Sequence, residues 1–69
     1  MKWLLEEYRT RNRIDSLKEI AASSGIDYQR LLKRIENPSS FKLFEIEALD
    51  RLLHFTDEDL LKILRGEIQ

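Results

Sequence analysis

Apolar residues recur along this chain at intervals of three and four residues, the spacing that places side chains on one face of an α-helix. Five such segments can be traced, and a residue that caps or interrupts helices bounds each of them. No segment alternates apolar and polar residues as a half-buried β-strand does, and the chain contains no valine. The pattern therefore predicts an all-α protein with a single domain covering residues 1–69.

The helix boundaries follow from capping residues. Ser16 and Glu19 form an S-x-x-E capping box at the start of the second helix, and Gly25 ends that helix. Asp27 is a natural N-cap for the third helix, which Asn37-Pro38 stops because the residue before proline avoids the α region. The five predicted helices cover about residues 2–11, 16–25, 27–36, 42–53 and 56–66.

Composition narrows the class of protein and its compartment. The chain has 69 residues, of which 42% are hydrophobic and 36% are charged, a balance typical of a small globular domain. It has no cysteine, which excludes disulfides and thiolate metal sites and favours a reducing compartment. No apolar run approaches the roughly 18–20 residues that span a bilayer. We therefore expect a cytoplasmic protein without a membrane partner.

Charge is unevenly distributed along the chain, although the net charge is only −1. Residues 1–34 hold eight Lys or Arg and five Asp or Glu, whereas residues 35–69 hold four and eight. The two halves thus carry net charges of +3 and −4. Such a division can turn one face of the protein towards phosphates. The alternative is that solvated helices simply differ in charge.

Residues suited to catalysis or metal binding are scarce. The chain has one histidine and lacks a glycine-rich loop that could hold a phosphate. His54 with Asp57 or Glu58 is the nearest approach to a ligand cluster, but acids in that position are better explained as the first turn of a helix. We expect no enzymatic activity, no metal and no cofactor.

The order and spacing of the capping and apolar residues resemble those of the Cro/repressor-type (Xre-like) helix-turn-helix DNA-binding domains. The resemblance covers about residues 14–64. Its first motif consists of Ser16, Ile20, Ala21, Gly25, Ile26 and Asp27. Its second motif is the segment 49–61, an apolar helix followed by a capped acidic turn and two leucines. It implies a compact five-helix bundle in which helices 2 and 3 form the helix-turn-helix and helix 3 enters the major groove. Three residues depart from the family pattern, namely Leu17 in place of glutamine, His54 in place of glycine and Arg34 in place of an apolar residue.

Two registers of helix 3 remain open. A helical wheel groups Leu31, Leu32 and Ile35 with Tyr28, and it turns outward Gln29, Arg30, Lys33 and Arg34. The resemblance implies that Leu31 is buried and that the groove is met by Tyr28, Gln29, Leu32 and Lys33. The candidate base contacts are therefore Gln29, Lys33, Tyr28, Arg30 and Leu32, and the candidate phosphate contacts are Ser16, Lys18, Arg34, Ser39, Ser40 and Lys42.

More large apolar residues are present than so small a core can hold, among them Trp3. An exposed surplus often marks a partner site, so we expect a homodimer in which helix 5 and one phenylalanine meet the second copy. The candidate interface residues are Phe41, Phe44, Ile63 and Ile68. The alternative is that these residues close the edge of a monomer core.

Two functions remain open. The first is sequence-specific binding of double-stranded DNA by a small dimeric transcriptional repressor, of the type that phages, plasmids or toxin–antitoxin systems use. The second is a helical protein-interaction module, or an antitoxin-like partner that holds another protein and does not read DNA. The acidic second half of the chain and Leu17 favour the second function.

Overall fold

The structure, a computed structural model, describes residues 1–67. These residues form five α-helices and a short 3₁₀ turn, with no β-strand among them. In chain order the elements are α1 (Lys2–Arg11), α2 (Leu17–Ser24), α3 (Tyr28–Glu36), the 3₁₀ turn (Pro38–Ser40), α4 (Leu43–Leu53) and α5 (Asp57–Leu64). The predicted all-α class is confirmed. None of the helices within 1–67 has the length and hydropathy needed to cross a bilayer.

The core lies where one face of each helix meets the others. Helix α2 is central, because it packs against α1, α3 and α4. The buried apolar residues are Met1, Leu4, Leu5, Tyr8, Ile20, Ala21, Ile26, Leu31, Ile35, Phe41, Ile46, Leu49, Leu53, Phe55 and Ile63. The radius of gyration is 10.6 Å, close to the ~11 Å expected of a compact chain of this length. The helices therefore enclose one small core.

The predicted N-caps are present, with one difference in detail. Ser16 Oγ accepts from the Glu19 N–H at 3.2 Å, and Asp27 Oδ2 accepts from the Arg30 N–H at 3.1 Å. Thr56 caps α5 in the same way. The Glu19 carboxylate accepts from the N–H of Asp15 rather than from Ser16, so the predicted capping box is displaced by one residue. Each cap satisfies a backbone donor that the first helical turn leaves free.

Tyr8 joins the first helix to the last. Its side chain is 2% exposed, and its ring packs edge-to-face on Phe55 with centroids 4.9 Å apart. The hydroxyl donates to Asp59 Oδ2 at 2.5 Å and accepts from the Thr56 N–H at 3.0 Å. Because Asp59 carries a carboxylate, this donated hydrogen bond is charge-assisted. Tyr8 therefore fixes the start of α5 against α1.

The predicted dimer-interface residues are found in different places. Phe41 and Ile63 are 9% and 6% exposed, so they belong to the core and offer little surface to a partner. Their burial corrects the expectation that they lie at an interface, because both side chains pack into the single core cluster of the bundle. Phe44 is 61% exposed, as is Trp3. Ile68 lies outside the described residues.

Replacing Tyr8 by phenylalanine is expected to lower the free energy of unfolding by about 1–2 kcal/mol, because Asp59 and the Thr56 N–H both lose a partner. Urea unfolding followed by circular dichroism measures the change. Tyr28→Phe is the matched control, since no hydrogen bond within residues 1–67 involves the Tyr28 hydroxyl. Equal effects of the two substitutions would contradict the role assigned to the Tyr8 hydroxyl.

His54→Gly is expected to raise the free energy of unfolding by about 1 kcal/mol. His54 ends α4 with φ 56° and ψ 61°, the left-handed conformation that side chains with a Cβ disfavour, and it is exposed. Gly25→Ala is the converse variant, because Gly25 has φ 77° and an added Cβ would meet no atom within 4 Å. Thermal unfolding should move the two variants in opposite directions. A less stable His54→Gly variant would show that the imidazole itself stabilises the fold.

Candidate nucleic-acid interface

Helices α2 and α3 meet at a short turn. Gly25, the C-cap of α2, adopts the left-handed conformation, and the buried side chain of Ile26 packs the turn against the core. Asp27 then caps α3. Helix α3 packs against α2, which in turn packs against α1 and α4. The central helix thus supports α3 from behind and leaves its opposite face in solvent.

The buried side of α3 consists of Leu31 and Ile35, which are 0% and 9% exposed. Tyr28 packs against the edge of the core, whereas Leu32 is half-buried without joining it. The exposed residues of this helix are Gln29, Arg30, Lys33 and Glu36. The observed register therefore combines features of both predicted ones. Arg30 is outward, as the helical wheel predicted, and Leu32 lies outside the core, as the family register implied.

The exposed face of α3 carries hydrogen-bonding groups at helical spacing. Gln29 and Lys33 are four residues apart and therefore lie above one another on one side of the helix. Half-buried Leu32 borders this pair. At the start of α3, Lys18 of α2 places its Nζ 5.8 Å from the centre of the Tyr28 ring, a cation–π distance. Helix α3 and this lysine thus present an amide, two ammonium groups, one guanidinium and an aromatic ring.

The candidate phosphate contacts differ in the hydrogen-bond donors that they can offer. A phosphate only accepts hydrogen bonds, so a serine must donate its single hydroxyl proton to bind one. Ser39 and Ser40 already donate theirs to Asn37, at 3.0 Å and 2.6 Å. Ser16 Oγ instead accepts from the Glu19 N–H, so its own proton is available. The ammonium groups of exposed Lys18 and Lys42 are the stronger candidates.

Arg34 does not lie on the exposed face where the helical wheel placed it. Its side chain is 21% exposed, and its Nε donates to Glu45 Oε1 of α4 at 3.1 Å. This finding corrects the outward orientation, because a buried carboxylate across the helix interface draws the guanidinium towards α4. The same Glu45 oxygen accepts from the Lys42 N–H at 2.8 Å. Any contact of Arg34 with a phosphate would use its terminal nitrogens.

Two acidic residues were missed by the sequence interpretation. Glu45 is fully buried, and its other oxygen, Oε2, has no hydrogen-bond partner among residues 1–67. Its position three residues after the cap of α4 was a local signal, but its burial depends on Arg34 from another helix. Glu36 is exposed seven residues after Gln29, on the same side of α3. A carboxylate there could accept from cytosine N4 or repel a phosphate.

Other features of the surface offer less chemistry. A cleft of about 270 Å³ between α2 and α4 is lined by Ser23, Ser24, Ala48, Arg51 and Leu52. It contains no imidazole or carboxylate that could act as a general base. No cluster of three or more metal-ligating side chains occurs among residues 1–67. The large apolar side chains most exposed in that range are Trp3, Leu43, Phe44, Leu61 and Leu64.

The chain matches no protein-family model, no curated protein and no solved structure.

Proposed function

We propose that this chain binds double-stranded DNA sequence-specifically, with α3 in the major groove, and that it acts as a small dimeric transcriptional repressor. The helix-turn-helix is formed by α2 and α3. The observation that carries the proposal is the division of α3 into a buried aliphatic side and an exposed side rich in hydrogen-bond donors. The resemblance to Cro/repressor-type domains supports the same assignment.

The exposed groups of α3 match the edges of base pairs. A glutamine such as Gln29 can bind adenine N6 and N7 together, while Lys33 or Arg30 can reach guanine O6 and N7. Leu32 offers an apolar contact for a thymine methyl group, and Tyr28 borders the same face. Phosphate contacts, which position the protein without reading sequence, would come first from Lys18, Lys42 and the hydroxyl of Ser16. Arg34 would add its terminal nitrogens, whereas Ser39 and Ser40 would first have to give up their hydrogen bonds to Asn37.

Selection from a random duplex-DNA library at low salt tests the proposal. We expect the native chain to enrich a two-fold symmetric motif with half-sites about one helical turn apart. The Gln29→Ala/Lys33→Ala double variant should lose that enrichment and bind the selected duplex about 2–6 kcal/mol more weakly, because two base contacts are removed. Failure of the native chain to enrich any motif would contradict sequence-specific binding.

A single pair of variants separates base contact from loss of charge. Lys33→Ala and Lys62→Ala each remove one positive charge, from α3 and from α5 respectively. Only Lys33→Ala should change which sequences are enriched. Affinity should also fall with salt at a slope of about −0.9 per phosphate neutralised. If the affinity for DNA did not depend on salt, phosphate contacts would be contradicted. The alternative function, a protein-interaction module that binds its partner through apolar surface, would then be favoured.

The homodimer part of the proposal rests on exposed apolar surface. Leu61 and Leu64 of α5 are each 48% exposed, and Phe44 of α4 is 61% exposed. Scattered apolar residues are normal on protein surfaces, but bulky ones three residues apart on a helix form a continuous strip. This strip and Phe44 replace Phe41 and Ile63 as the surface offered to a second copy.

Sedimentation equilibrium of two variants tests this interface. Leu61→Ser/Leu64→Ser or Phe44→Ser should raise the dimer dissociation constant at least about tenfold, because apolar area is no longer buried on association. Trp3→Ser is the control, since it removes an equally exposed aromatic side chain from α1. A native chain that stays monomeric at submillimolar concentration would contradict a homodimer in free solution.

A further inference from the structure

Helices α3 and α4 are joined by a largely buried ion pair between Arg34 and Glu45. Helix α2 packs extensively on both, whereas α3 and α4 approach each other little. Within residues 1–67, the bond from Arg34 Nε to Glu45 Oε1 is the hydrogen bond that joins side chains of these two helices. An ion pair therefore links two helices that otherwise make few contacts with each other.

Glu45 fixes two points with one oxygen atom. Oε1 accepts from Arg34 in the last turn of α3 and from the N–H of Lys42, the cap of α4. The segment between these two points includes the 3₁₀ turn Pro38–Ser40. A rigid acceptor shared by both ends restrains how far the end of α3 can move relative to α4.

The arrangement is poorly suited to stabilising the fold. Glu45 is fully buried, and no group in the described part of the chain forms a hydrogen bond with its Oε2. A buried charge repays its lost hydration only when all its acceptor sites are used, and apolar residues of similar volume are often as stabilising or more so. The contribution of Glu45 is therefore better sought in geometry than in stability, since buried ionic groups can select one packing arrangement over others.

We infer that Arg34 and Glu45 are positioning residues that fix the orientation of α3, so that Glu45 determines DNA sequence discrimination from inside the protein. This inference rests on the proposed DNA-binding function. Base contacts depend on groups held within about half an ångström, whereas contacts with phosphates tolerate small rotations. Loss of the link should thus weaken specific binding and leave non-specific binding intact.

The test compares Glu45→Met with Glu47→Met. Both substitutions remove one negative charge from α4, but Glu47 is exposed and controls for the altered attraction to DNA. Affinities are measured for the selected duplex and for a scrambled duplex of equal composition. We expect Glu45→Met to reduce the ratio of the two affinities at least about tenfold, the effect of one lost base contact. Its affinity for the scrambled duplex should equal that of Glu47→Met.

Residual dipolar couplings of the free proteins provide a readout that needs no DNA. The angle between α3 and α4 should change in Glu45→Met and stay native in Glu47→Met. An unchanged angle, or equal loss of affinity for both duplexes, would overturn the inference. If Glu45→Met does not fold, Glu45→Gln decides, because it keeps the size of the side chain but removes the ion pair. Discrimination equal to that of Glu47→Gln would then refute the role of the pair.

Failure of the proposed function gives a different result. In that case the native chain selects no duplex, so the role in discrimination is refuted. The couplings would then decide only whether Glu45 orients α3, independently of any ligand.

Discussion

Burial of Leu31 and Ile35 is the contact on which the arrangement of α3 depends. These residues lie four apart on one side of the helix and are almost fully withdrawn from solvent. Once that side is fixed against the core, Gln29 and Lys33 have no position except the solvent side. The groups that we assign to DNA contact therefore owe their placement to two aliphatic side chains that touch no DNA.

Polar links at helix ends supplement this small core. A chain of this size buries only ~60% of its unfolded surface, so apolar contact alone leaves the helix order weakly determined. Asn12 donates to the Leu53 carbonyl at 3.0 Å, which ties the end of α1 to the end of α4. Arg9 donates to the Ile14 carbonyl at 2.8 Å and holds the connection to α2. With Tyr8, these bonds attach α1 to the rest of the bundle.

The charge of Arg34 has a different role in the folded protein from the one that its position in the sequence suggests. Arg34 belongs to the basic half of the chain, and by composition alone it adds to the positive charge available to phosphates. In the folded protein its Nε is bound by a buried carboxylate, so part of that charge is neutralised internally. The positive face of α3 is thus narrower than the sequence suggests, and it centres on Arg30 and Lys33, with Lys18 beside it.

The sequence by itself determined the five helices and their boundaries to within one or two residues, because capping by Ser16, Asp27 and Thr56 involves neighbours in the chain. It also determined that Gln29 and Lys33 share an exposed face. Only the tertiary structure decided that Phe41 is in the core, that Phe44 is outside it and that Arg34 pairs with Glu45. These outcomes depend on which helices meet, and helical periodicity carries no information about a partner that is distant in sequence.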